Sequence, residues 1–193
     1  MRQVNRLCVY CGSAVGLDHR YHAAATQLGE SLAKAGIELV YGGGRIGLMG
    51  VLADAVLAGG GRVVGIIPGA LRDAELAHDG ASELVITASM HDRKRLMAER
   101  SDAFAVLPGG IGTLDETFEI LTWRQLKLHA KPILICDVAG SAAALLSLIE
   151  VAMADGFAPP DAGSFYEVVR GVPALLTRLG ELAAVPGGEA ERL

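Results

Sequence analysis

Short apolar runs alternate with longer segments of helical period along almost the whole chain. The runs LCVYC, ELVY, RVVGII, LVIT, AFAVL and PILIC predict strands over 7–11, 38–41, 62–67, 84–87, 103–107 and 132–136, with a late one over 166–169. Between them, apolar residues recurring every three to four positions predict helices over 19–35, 48–57, 91–100, 113–129, 142–154 and 173–182. Strands that are apolar on both faces and separated by helices require a sheet covered on both sides, joined by right-handed crossovers. The expected fold class is therefore α/β, a Rossmann-like doubly wound sandwich with a mostly parallel sheet and helices on both faces. No repeat, linker or composition break marks a second unit. Residues 1–185 read as one nucleotide-binding domain and 186–193 as a flexible tail.

Composition narrows the function. The 193 residues are 51% hydrophobic and 20% charged with 25 glycines, as in a compact protein with many tight turns. A net charge of −5 argues against a broad nucleic-acid surface but leaves room for a local basic pocket. No segment approaches the roughly 20 apolar residues of a membrane helix, and the N-terminus has no apolar stretch of signal-peptide length, so the expected location is cytoplasmic. Three cysteines are too few for a disulfide framework. Cys8 and Cys11 lie in one strand-like run, where side chains three apart point to opposite faces, so they read as buried thiols rather than as a metal or redox pair. The five histidines show no metal-ligand spacing, and no metal is expected.

In such a sheet, ligands sit at the carboxyl ends of the strands where strand order reverses. Four glycine-rich stretches fall at those ends: CGS (11–13), YGGGRIGLMG (41–50), IIPG (66–69) and LPGGIGT (107–113). Gly42, Gly44 and Gly47 match a dinucleotide fingerprint, but no acidic residue lies between Asp54 and Asp73 to take a ribose, which disfavours NAD or FAD. Gly43 and Gly44, with Ser13, remain candidates for holding a single phosphate through backbone amides. In MHDRKRLM (90–97), the cations Arg93, Lys94 and Arg95 stand near a helix start, against the dipole, which suggests an anionic ligand. In PGGIGTLDE (108–116), Thr113 and Glu116 have the spacing of a capping box, and on spacing alone Glu116 is equally a cap and a catalytic carboxylate.

The segments MHDRK and PGGIGTLDE, followed by TWRQLKLHAKP (122–132), resemble the LONELY GUY (LOG) family of cytokinin riboside 5′-monophosphate phosphoribohydrolases. The likeness extends to CGS, YGGGRIGLMG and GIIPGAL with Glu75 after it, from about Leu7 to Leu182. That family also carries the label lysine decarboxylase, for which this sequence offers no pyridoxal-phosphate context. The resemblance implies hydrolysis of the N-glycosidic bond of N6-modified adenosine monophosphates or of AMP, without a cofactor. It implies Arg93 and Glu116 as catalytic residues. Substrate contacts carried over are Glu75, Arg93, Lys94, Gly110, Ile111, Gly112, Thr113, Leu114, Asp115, Glu116 and Thr122. Departures are Asp115 where glutamate is common, Ile111 where an aromatic is common, and Ala14 where a second serine is common. The implied partners are a nucleoside monophosphate and further copies of the chain, as a homodimer or larger, with Phe118, Leu121 and Trp123 as candidate interface residues. The competing reading is a nucleotide-binding sensor or carrier without turnover.

Overall fold

A computed structural model of the chain describes residues 4–72 and 77–184. Glu75 and the expected tail 186–193 lie outside the described residues. Among these, seven strands alternate with six α-helices. They are β1 (Arg6–Tyr10), α1 (His19–Ala35), β2 (Glu38–Tyr41), α2 (Gly47–Ala58), β3 (Val63–Pro68), β4 (Glu83–Thr87), α3 (Met90–Glu99), β5 (Ala103–Val106), α4 (Ile111–Gln125), β6 (Ile133–Asp137), α5 (Ala143–Ala154), β7 (Glu167–Arg170) and α6 (Gly171–Ala184). All seven strands pair in parallel, in the order β4-β3-β2-β1-β5-β6-β7. The sheet is thus fully parallel, and its strand order reverses between β1 and β5.

The alternation along each strand divides the core in two. Leu7 and Val9 of β1 join Leu39, Tyr41 and Val63 under α1, α2 and α6, whose Leu28, Leu32, Leu52, Leu175 and Leu179 cover that face. Cys8 and Tyr10 join Val40, Phe104 and Ile135 on the other face, under Met97 of α3, Ile120 of α4 and Ile149 of α5. Cys11 packs with the first cluster, so the two cysteines stand on opposite sides of the sheet. Burial raises the pKa of both thiols far above the ordinary range, with the Glu116 charge adding to the effect, and neither is a nucleophile at neutral pH.

Local chemistry sets the helix ends. Asp18 caps α1 by accepting from the Arg20 amide, and Gly36 ends it in the left-handed conformation at φ 67°. Ser89 caps α3 by accepting from the Asp92 amide at 3.0 Å and donates back to the Asp92 carboxylate at 2.7 Å. Ser89 and Asp92 are therefore joined twice at the start of α3, once through the cap bond and once side chain to side chain. None of the described helices is long and apolar enough to cross a membrane.

Candidate active site

The crossing point between β1 and β5 is where the glycine-rich turns meet. Gly12, after β1, donates its amide to the Pro108 carbonyl at 3.1 Å, and its own carbonyl accepts from the Met49 amide at 3.3 Å. Three loops are thereby tied together above the carboxyl ends of β1, β2 and β5. A cleft of about 400 Å³ opens over them, lined by Gly12, Ser13, Tyr21, Leu48, Gly109 and Gly110 among others.

Gly110 caps α4 without any side-chain hydrogen bond, and the first amide to close back into the helix is Leu114, onto the Gly110 carbonyl at 3.0 Å. The amides of Ile111, Gly112 and Thr113 thus stand in the first turn, at the positive end of the helix dipole. Ile111 and Gly112 are exposed, as is Gly110. Such a terminus accommodates a phosphate. The capping box that spacing allowed for Thr113 and Glu116 is not formed. The helix begins two residues earlier than expected, which puts Thr113 inside its first turn and Glu116 in its second, too far in to reach a cap amide. That removes the capping-box reading of Glu116.

Glu116 instead faces inward, 8% exposed, with its Oε1 3.5 Å from Nη2 of Arg93, which is 4% exposed. Arg93 enters from α3 and is fixed from several sides. Its Nε donates to the Ile66 carbonyl at 3.1 Å and its Nη2 to the Gly42 carbonyl at 3.2 Å, while Nη1 lies 3.6 Å from Sδ of Met90. Gly42 is required by this contact, because a Cβ there would lie 2.0 Å from Nη2. The ends of β2 and β3 therefore hold a guanidinium against a carboxylate from α4, in a place largely closed to water. In that setting their charges act at short range with little screening.

The other cations of the basic cluster are also matched. Lys94 Nζ lies 3.1 Å from Asp115 and 3.1 Å from Glu119, so α3 and α4 are joined by two salt bridges beside the Arg93–Glu116 pair. Partial burial works against the lysine charge, but the two carboxylates outweigh it and raise its pKa. Arg95 turns outward to Asp92 and Glu99. The cluster is thus not an open basic patch. Glu119 was not singled out by the sequence reading, although its spacing of four from Asp115 puts both on one helical stripe.

The remaining expected residues separate. Ser13 lines the cleft, but neither Arg93 nor Glu116 does. Gly43 and Gly44 are buried, the Gly43 carbonyl accepts from the His78 amide at 2.9 Å, and Gly44 forms an isolated bridge with Ala77. Leu114 and Asp115 are exposed on the outer side of α4. Thr122, six residues beyond Glu116, donates to the Phe118 carbonyl and borders a different groove, between α4 and α5. Tyr21 and Ser141 of the cleft had no motif to reveal them; only the fold brings them to the glycine turns.

Comparison with known proteins places this geometry in context. The chain matches a protein-family model described as "Possible lysine decarboxylase" over residues 49–179. It is 42% identical to the cytokinin riboside 5′-monophosphate phosphoribohydrolase LOG1 of Arabidopsis thaliana, over 97% of this chain and 92% of that protein. It is 45% identical to the enzyme of the same description, LOG3, over 92% of this chain and 83% of that one. Among solved structures, it is similar to the molybdenum cofactor carrier protein of Chlamydomonas reinhardtii, with a TM-score of 0.71 and 18% identity over 95% of this chain and 100% of that one. A molybdenum cofactor binding protein of Rippkaea orientalis gives a TM-score of 0.70 at 20% identity, over 94% and 98% of the two chains. At such identities the likeness establishes the fold alone.

Proposed function

The chain belongs to the LOG family of cytokinin riboside 5′-monophosphate phosphoribohydrolases, and from that membership we propose that it hydrolyses the N-glycosidic bond of N6-modified adenosine 5′-monophosphates or of AMP. The products are the free base and ribose 5-phosphate. The observation that carries this reading is a buried Arg93–Glu116 pair next to the open first turn of α4.

N-glycoside cleavage builds positive charge on the ribosyl ring as the base departs. A carboxylate in a largely dry site stabilises that charge far more than one in water. We assign Glu116 to face the ribosyl carbon and to hold the attacking water, whose proton it accepts as the new C–O bond forms. The base departs with the electron pair of the broken C–N bond and takes its proton from solvent, and Glu116 returns its own to solvent after release. Arg93 stays protonated throughout, so it serves to fix Glu116 and to offset anionic charge. The amides of Gly110, Ile111, Gly112 and Thr113 are assigned to the 5′-phosphate, with Ser13, which lines the same cleft as Gly110, beside them. Lys94 and Asp115, salt-bridged to each other, are assigned to supporting the Arg93–Glu116 pair from beside it, and Glu75 is assigned to the sugar or base.

The test is product analysis after incubation with AMP and isopentenyl-AMP, in which chromatography is expected to show free base from at least one. In the Glu116→Gln enzyme the rate is expected to fall about 100- to 1000-fold with the fold intact. Saturable nucleotide binding with no base release from wild type would establish the carrier reading instead.

We further assign the α4–α5 face to self-association. Leu148, Val151 and Phe157, on or just after α5, are exposed at 58%, 56% and 89%, and Leu148 lines the groove that Thr122 borders. Leu121 is buried in the chain's own core and Phe118 and Trp123 are partly buried against it, so the exposed leucine, valine and phenylalanine are the better interface candidates. Light scattering is expected to give at least twice the 20.0 kDa chain mass, and Leu148→Glu to shift the species toward monomer. A monomeric wild type would refute this assignment.

A further inference from the structure

His78 lies outside every motif used so far, yet it is 8% exposed and both of its ring nitrogens are engaged. Its Nδ1 accepts from the Gly80 amide at 3.2 Å. The neutral ring therefore carries its proton on Nε2, which donates to Oδ1 of Asp54 at 3.0 Å. With neither nitrogen open to a substrate, the ring is neither a general base nor a ligand. It is a tie between the 77–80 segment and α2.

What that tie holds is the turn beneath Arg93. The His78 amide donates to the Gly43 carbonyl at 2.9 Å, and Ala77 bridges Gly44. Gly43 sits at φ 80°, in the left-handed region where a glycine backbone is easily rotated. The peptide before it presents the Gly42 carbonyl to Nη2 of Arg93, and that same Nη2 faces Glu116. A soft glycine turn is thus pinned on one side by His78 and positions the guanidinium on the other.

We infer that Asp54 and His78 form a brace that positions Arg93 for the reaction, by holding the Gly42–Gly44 turn from α2. The inference rests on the phosphoribohydrolase reading for its kinetic consequence, but not for the brace itself. Asp54 is on the helix surface, its side chain 72% exposed, so it can be changed without opening the core. Misplacing a catalytic group by about 1 Å costs on the order of 100-fold in rate.

The experiment compares Asp54→Ala, which removes the acceptor, with Asp54→Asn, which keeps an acceptor oxygen. Amide hydrogen exchange in the ligand-free proteins reads the brace directly. The His78 amide is expected to exchange about 10-fold or more faster in Asp54→Ala than in wild type or Asp54→Asn. Unchanged exchange in Asp54→Ala overturns the brace, whether or not the protein hydrolyses nucleotides. Kinetics with the better of AMP and isopentenyl-AMP then read the positioning. Asp54→Ala is expected to lose about 10- to 100-fold in kcat, with KM within about threefold, and Asp54→Asn to stay within about threefold of wild type. Faster exchange with undiminished kcat overturns the link to Arg93. If wild type releases no base at all, the functional reading fails, and with it the kinetic half of the inference, while the exchange result decides the brace.

Discussion

Arg93 is buried with its charge because four groups share it: the carbonyls of Ile66 and Gly42, the thioether of Met90 and the carboxylate of Glu116. Replacing it with alanine withdraws a charge from Glu116 and a donor from two buried carbonyls. Breaking a buried pair from one side costs about 3 to 5 kcal/mol. Arg93→Ala should therefore lower the unfolding free energy by that much in a urea titration. Adding Glu116→Gln should recover a large part, since a neutral amide needs no countercharge. A single variant as stable as wild type would show that the pair is not electrostatically coupled in the fold. The residue types of this pair were legible in MHDRK and PGGIGTLDE. Their contact was not, because Arg93 and Glu116 come from different helices and meet only through the carbonyl ends of β2 and β3. Spacing also left Glu116 balanced between capping and catalysis, and what removes the cap is the earlier helix start at Ile111.

Helix α4 shows how far a hydrophobic period can mislead at an element's ends. The pattern from Thr113 carries on through Leu126 and Leu128 to His129, but the helix stops at Gln125. Lys127 takes φ 60°, its amide bonds to the Arg124 carbonyl at 3.1 Å, and the next amide returns to the Trp123 carbonyl at 2.9 Å. This is a left-handed termination that glycine normally supplies. A lysine there carries the strain of a Cβ crowded by its own carbonyl. Lys127 is exposed, and among the described residues no side-chain hydrogen bond or ion pair holds it. Lys127→Gly should therefore stabilise the protein by about 0.5 to 1 kcal/mol, read as a rise in melting temperature. A lower melting temperature would mean that the unfolded-state entropy added by glycine outweighs the relieved strain. The strands, in contrast, were legible to within about a residue. Their period of two fixes which side each residue takes, and a slip would exchange the two cores.

Across the molecule, the two clusters lie under different parts of the candidate site. The cluster under α1, α2 and α6 underlies the cleft, while the one under α3, α4 and α5 underlies Arg93 and Glu116. The glycine turns at the β1–β5 reversal form the divide, and on the proposed assignment the 5′-phosphate would meet the first side and the ribosyl cation the second. The second cluster also carries a titration that couples to the stability of the whole fold. His129 packs edge-on to Phe104 at 5.5 Å, its Nε2 bonds to the Ile120 carbonyl at 2.9 Å and its Nδ1 accepts from the Lys131 amide at 3.2 Å. Burial lowers its pKa from 6.5, the Ile120 carbonyl opposes that shift, and the nearby Arg124 and Lys131 charges reinforce it. The unfolded chain thus takes up the proton first as pH falls. The resulting stability is present above about pH 6.5 and is lost as pH falls through the lower folded value, at no more than about 1.4 kcal/mol per pH unit. Glu83 and Glu167, whose pKa values are lowered by hydrogen bonds from Arg100 and Arg178, titrate further to the acid side. Urea titrations at pH 7.5 and 5.5 should therefore show wild type losing stability over this window, and His129→Gln losing less than half as much. If His129→Gln and wild type fall in parallel, the proton uptake belongs to another group and His129 is not the fold's acid-sensitive point.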